Sequence, residues 1–215
     1  VTEDEARAWI GATFDVPRET WERLERYIAL LFDGMERQNL IAESTKALVW
    51  DRHIVDSAQL LIHAPEVSER PWVDLGSGAG LPGIVVAILS GWHVVMIESR
   101  RMRIDFLNDV IDALGLDAEV YGGRVELCQP GAPAGVISAR AYAPLPKLLT
   151  TSAHLSDGKT RWVLPKGRNW QNELETTQQA WQGVFHVERS ITDPDSAIIV
   201  AESVQEKSGK KRGRR

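Results

Sequence analysis

The residues of this chain best suited to chemistry begin with DLGSGAGLPGI, Asp74 to Ile84, and with Glu98 in VVMIES. Gly76, Ser77, Gly78 and Gly80 form a turn after the strand-like start WVDL, and an apolar helix follows them. Glycines allow positive φ and let backbone groups approach a ligand closely. The dinucleotide fingerprint G-x-G-x-x-G requires glycine where this chain has Leu81, and the Lys and Ser/Thr of a phosphate loop are missing. Glu98 stands 22 positions after Gly76, where a carboxylate accepts both hydroxyls of a ribose. A pyrophosphate is disfavoured beside Asp74 and Glu98; a zwitterionic sulfonium is not. Asp74 is then expected to face the amino-acid portion of that ligand or ordered water. The spacing favours S-adenosylmethionine, the alternative being a strand–helix turn with no ligand.

Holding a turn of this kind takes a strand, a helix and a sheet around them. Trp72–Leu75, Val94–Ile97, Ala118–Tyr121, Val136–Ala139 and Arg161–Leu164 read as strands. Between them, helices are expected over Pro82–Leu89, Arg100–Leu114, Pro146–His154 and Asn169–Trp181, with Gly115 ending the second. Val184–Ser190 and Ala197–Ser203 close the pattern as two strands with no helix between them. The fold class is therefore α/β: a mainly parallel sheet covered on both faces, with an antiparallel hairpin at one edge. Upstream, Trp21, Leu24, Ile28, Leu31 and Met35 recur at helical spacing within Glu19–Asn39, and Thr45–His63 carries a second helical pattern. The expected division is a helical element over 1–65, a Rossmann-like domain over 66–206 and a basic tail over 207–215.

Composition narrows the setting. No apolar run approaches the ~20 residues of a membrane span, and the opening VTEDEARAW lacks a signal peptide's order. The missing initiator Met suggests a trimmed N-terminus. The single cysteine, Cys128, excludes an internal disulfide, is expected to be structural, and suits a reducing cytoplasm. His63, His93, His154 and His186 are scattered and suggest no metal site. The tail KSGKKRGRR carries six of the 25 basic residues and no acid, leaving residues 1–206 at a net −11. Such a tail reads either as an arm for a polyanion such as nucleic acid or as a solubilising end.

An ordered set of motifs makes the reading specific. After Asn39-Leu40 come RHIVDS (Arg52–Ser57), DLGSGAGLPGI, ES (Glu98-Ser99), GRVE (Gly123–Glu126), SARAYAPL (Ser138–Leu145) and LPKG (Leu164–Gly167). In this order they resemble the bacterial 16S ribosomal RNA guanine-N7 methyltransferases, the glucose-inhibited division protein B family, over about Tyr27 to Ser203. The resemblance implies a class I S-adenosylmethionine-dependent methyltransferase with a seven-stranded sheet. It implies that Gly76 and Leu81 line the cofactor, that Glu98 binds its ribose, and that Val125 and Glu126 flank its adenine. Arg140 would stand beside the methyl-transfer position. One departure is Gly135, where families of this type commonly carry an Asp.

The chemistry implied is undemanding. Guanine N7 carries a lone pair and no proton at neutral pH, so methyl transfer to it needs placement and electrostatics but no general base. Arg140 would stack on the guanine, hydrogen-bond it, or grip a phosphate; a surface salt bridge is the alternative. Lys166 is expected to hold backbone phosphate, or else to be a solvated strand-end lysine. Arg52 and Asp56, at i and i+4, are expected to pair. With His53 they would sit at the mouth of the site, His53 as a substrate contact, or would serve as a polar clamp. Of the arginines after Glu98, Arg103 is the one expected to reach the cofactor carboxylate or RNA. The expected substrate is 16S ribosomal RNA within the small subunit, met by a cytoplasmic monomer with no membrane partner. The alternatives are a methyltransferase of the same fold acting on a small molecule or protein, and a noncatalytic RNA-binding module.

Overall fold

A computed structural model describes residues 2–207; apart from Lys207, the basic tail lies outside them. Seven strands form one sheet: β1 (Trp72–Leu75), β2 (Val94–Glu98), β3 (Ala118–Gly122), β4 (Val136–Ser138), β5 (Arg161–Lys166), β6 (Trp181–Arg189) and β7 (Ala197–Glu206). Their order is β3-β2-β1-β4-β5-β7-β6. The first five are parallel, and β7 runs antiparallel to both β5 and β6. The edge hairpin expected from two late strands is therefore present, with β7 inserted between β5 and β6. Consecutive strands diverge on either side of β1 and β4, and the crevice above that divergence is where open α/β sheets bind ligands.

The helices follow the apolar periodicity. Between α2 (Arg18–Met35) and β1 lies the region expected to be one helix; it is instead a chain of short pieces. A 3₁₀ turn (Glu43–Leu48) leads into a π-helical turn (Trp50–Val55), then α3 (Asp56–Ala58) and a second 3₁₀ turn (Gln59–His63). Further on, α4 (Gly83–Leu89), α5 (Arg101–Leu114), α6 (Leu145–Ser152) and α7 (Trp170–Ala180) alternate with strands as expected. Gly115 ends α5 in the left-handed conformation, at φ 57°.

One helix was not expected from the sequence: α1 (Glu3–Thr13). Its signal is a capping box. The Thr2 hydroxyl accepts from the Glu5 N–H, and the Glu5 carboxylate accepts from the Thr2 N–H. Ala6 and Ile10, one turn apart, are fully buried. They join a core cluster that includes Leu24, Leu31, Ile54, Trp72, Ile84 and Val94, so the N-terminal helices and one sheet face share a single core. The other face packs Leu75, Ile137, Leu148, Trp162 and Ile199 beneath α6 and its neighbours. Gly135 has a packing reason: a Cβ there would lie 2.9 Å from the Trp92 ring. None of the described helices is long and apolar enough to cross a membrane.

Candidate functional site

Two cavities open at the carboxyl ends of the strands. The smaller, about 320 Å³, is lined by Gly76, Glu98, Arg103, Val125, Glu126 and Tyr142 among others. The larger, about 500 Å³, is lined by Arg52, Asp56, Arg140, Tyr142, Lys166 and Asp193 among others. Ala141, Tyr142 and Ala143 line both and form the partition between them. Both volumes lie in the range of small-molecule sites.

The glycine turn builds one wall of the smaller cavity. Gly76, Gly78 and Gly80 all have positive φ, at 66°, 59° and 90°. A Cβ on Gly76 would lie 2.7 Å from the Tyr142 ring, and one on Gly80 would lie 2.3 Å from Ile84. Only Gly76 of this turn lines the cavity. Ser77 is buried and donates to the Asp74 carbonyl, and Gly80 packs on α4. Leu81, expected to line the cofactor, is instead part of the apolar core. Its side chain turns inward because burial of a leucine with the N-terminal helices is more favourable than exposure in a polar cleft.

Glu98 stands at the end of β2 with 5% exposure. One carboxylate oxygen accepts from the N–H groups of Ser99 and Arg100, and the other from Gly78 N–H at 3.0 Å. The second oxygen has one such donor, so it keeps capacity to accept from a ribose hydroxyl, and Glu98 lines the cavity. Arg103 lies 3.9 Å from that oxygen and donates to the Asn39 backbone carbonyl, which ties the segment after α2 to the start of α5. Val125 opens a short 3₁₀ turn, buried, while the neighbouring Glu126 is exposed and pairs with Arg124 at 3.2 Å.

Asp74 departs from expectation. It is fully buried, and its carboxylate accepts from the Ser138 hydroxyl at 2.8 Å and from Gly83 N–H at 3.3 Å. Ser138 in turn accepts from the Trp72 indole at 2.8 Å. Asp74 therefore ties β1, β4 and α4 together beneath the turn and faces neither a ligand nor solvent. Burial pushes its pKa up to about 6.

Arg140 is the hub of the larger cavity. Its guanidinium donates to the Arg52 carbonyl, to His53 Nδ1 and to the Asp56 carboxylate, each at 3.2 Å. A guanidinium has no acceptor, so Nδ1 is the unprotonated nitrogen and Nε2–H donates to Thr45 Oγ1 at 2.8 Å. Burial and the Arg140 charge push the His53 pKa down to about 4. His53 lies behind Arg140 and off both cavity walls, which corrects its expected substrate contact: a neutral ring with both nitrogens engaged serves as a bracket. Arg140 lines the larger cavity and not the smaller.

The Arg52–Asp56 pair does not form. Asp56 takes Arg140 and the Thr192 hydroxyl, and Arg52 reaches across to the Thr192 carbonyl and, at 3.7 Å, to Asp193. The π-helical turn beneath Arg52 displaces the i, i+4 alignment on which that pairing depends. Lys166 is also corrected. Its Nζ is buried, donates to the Ala143 carbonyl at 2.7 Å and pairs with Glu173 at 3.0 Å. Glu173 accepts from Leu145 N–H as well, so this pair secures the partition rather than presenting a free cation.

Several site residues had no role assigned from the sequence. Tyr142 lies within SARAYAPL, and its aromatic ring is a signal that could have been noticed. Ala141 has φ 53°, an uncommon conformation for a residue with a Cβ, and it redirects the chain between Arg140 and Tyr142. The loop Ser190–Ser196 belongs to no motif quoted above. It reaches the site because Gln59 and Asp56 bind Ile191 and Thr192.

Comparison with known proteins agrees with this architecture. Residues 20–195 match the family described as GidB, rRNA small subunit methyltransferase G. The chain is 49% identical over 218 residues to the ribosomal RNA small subunit methyltransferase G of Rhizorhabdus wittichii, covering 100% of this chain and 99% of that one. It is 45% identical to that of Zymomonas mobilis, covering 98% and 100%. Among solved structures, the O-methyltransferase TomG from Streptomyces achromogenes, in complex with SAM, superposes with a TM-score of 0.56 at 13% identity, covering 93% and 96%. The glycopeptide N-methyltransferase MtfA, complexed with S-adenosyl-L-methionine, gives 0.56 at 10%, covering 70% and 93%. At such identities the likeness is one of fold, the class I methyltransferase sheet; at 45–49% over essentially the whole chain the relationship is closer, and the protein belongs to the GidB family of small-subunit ribosomal RNA methyltransferases.

Proposed function

We propose that this protein methylates N7 of a guanine in 16S ribosomal RNA, with S-adenosylmethionine in the smaller cavity and the flipped base in the larger. The observation that carries this reading is the pair of adjoining cavities with Tyr142 between them and Arg140 on the substrate side. The smaller cavity fits the cofactor: Glu98 keeps an acceptor for a ribose hydroxyl, Gly76 leaves room for close approach, and Arg103 can meet a carboxylate. Val125 and Glu126 border the adenine end. When bound, the cofactor supplies an electrophilic methyl group on its sulfonium.

The residues of this chain then have to bind, orient and exclude water. Guanine presents O6 and N7 acceptors on one edge and N–H donors on another. Arg140 donates to O6 and leaves the N7 lone pair free for the methyl carbon, and Asp193, which lines the same cavity, accepts from the donor edge. No proton has to leave N7, and the site's histidine is in keeping with this: His53 is neutral, and both of its nitrogens are engaged. The substrate is the small-subunit particle or its RNA, approached through local cationic surface on an otherwise acidic body, with the tail 207–215 as an added contact.

Incubating the protein with labelled cofactor and small ribosomal subunits lacking the modification tests this. Label is expected at one guanine N7, revealed by strand scission after reduction and aniline treatment. Label on protein or on small molecules alone would overturn the reading.

A further inference from the structure

The smaller cavity carries more positive charge than its ligand requires. Arg103 suffices for one carboxylate, yet Arg100, Arg124 and Lys147 also line the same cavity. All three side chains are exposed. Among the described residues Arg100 and Lys147 make no ion pair within 4.0 Å, and Arg124 is held only by the exposed Glu126 at 3.2 Å. S-adenosylmethionine carries a net positive charge, so these cations do not improve its binding. They also stand out on a body whose first 206 residues have a net charge of −11. Exposed cations at a rim, two of them without an ion pair among the described residues, are what a sugar-phosphate backbone requires. The partition Ala141–Ala143 brings this rim beside the substrate cavity.

Resting on the function proposed above, we infer that the RNA strand crosses the mouth of the cofactor cavity on Arg100, Arg124 and Lys147. The bound RNA closes the cofactor's exit. Binding is then ordered: S-adenosylmethionine enters first, RNA covers it, methylated RNA leaves, and S-adenosylhomocysteine leaves last.

The test is the dissociation rate of labelled S-adenosylhomocysteine from the full chain, chased with unlabelled compound. It is measured alone and with saturating unmodified small ribosomal subunits. Subunits are expected to slow release by about tenfold or more, a coupling of ordinary size. The triple variant Arg100→Ala, Arg124→Ala, Lys147→Ala is expected to lose most of this slowing at subunit concentrations that saturate it. Its intact fold is checked by circular dichroism. Direct binding of subunits, by filter retention, separates the two levels of the argument. If subunits bind and release is unchanged, RNA does not cover the cofactor and the inference fails alone. If subunits neither bind nor accept methyl groups, the function proposed above fails and the inference with it.

Discussion

At the residue scale, Arg140 has three partners in one bracket: the Arg52 carbonyl, His53 and Asp56. A planar fork makes these contacts together, and an ammonium cannot. Arg140→Lys is therefore expected to keep the fold while lowering kcat/KM for small subunits by about 100-fold, the size of loss that follows ~1 Å misplacement in a site. Steady-state kinetics with circular dichroism as control would read this; a loss below about threefold would remove Arg140 from substrate positioning.

Asp74 and His53 act on stability in opposite directions over nearly the same pH range. The folded pKa of Asp74 is raised to about 6, so its contribution is full at low pH and is lost as pH rises toward 6. That loss is ~3 kcal/mol, from two pKa units between folded and unfolded states. His53 is held down to about 4, so its contribution is lost as pH falls from the ordinary histidine range toward 4. Asp74→Asn leaves only the histidine's effect. Urea unfolding from pH 4 to 6.5 should then show stability rising with pH more steeply in the variant than in the wild-type protein. Equal slopes would mean that Asp74 titrates near its ordinary value.

At the scale of elements, the glycine turn is held from both sides. The Tyr27 hydroxyl on α2 donates to the Ala79 carbonyl at 2.8 Å within the core. Tyr27→Phe leaves that carbonyl without its partner and is expected to cost about 1–2 kcal/mol of stability, measured by denaturant unfolding. Gly76→Ala places a Cβ at φ 66° against the Tyr142 ring. Backbone strain of about 1–2 kcal/mol is expected, with weaker S-adenosylhomocysteine binding by calorimetry because the ring has to move. Unchanged affinity would show that Tyr142 moves freely away from the turn.

At the scale of the whole molecule, the basic tail contrasts with an acidic body. Seven of the body's cations line the two cavities, and residues 207–215 are a run rich in Lys and Arg. Removing residues 208–215 deletes five cations. If the tail grips RNA, the slope of log affinity against log salt should fall in magnitude by roughly 4, while affinity at high salt changes little. Filter binding across a salt series checks this, and an unchanged slope would leave the tail as a solubilising end.

The sequence by itself determined the local and the linear. The alternation of apolar strands and amphipathic helices dictated the α/β sheet, since period and turn chemistry are written in neighbouring residues. The glycine spacing with Glu98 pointed to the ligand class, because that turn and acid are set by one strand–helix–strand unit. Helix winding in Thr45–His63 was not legible: a π-helical turn differs from an α-helix by one residue in its hydrogen bonds, not by its apolar pattern. The tertiary structure decided which polar groups face the cavities. Asp74, Leu81 and His53 lie in motifs that read as binding residues, yet each turns to a partner distant in the chain, and Lys166 lines its cavity with its charge already taken by Glu173. The Ser190–Ser196 loop entered the site by the same route, through bonds to Gln59 and Asp56 far from it in the chain. A motif fixes what a side chain can do; burial and the partners the fold supplies fix what it does.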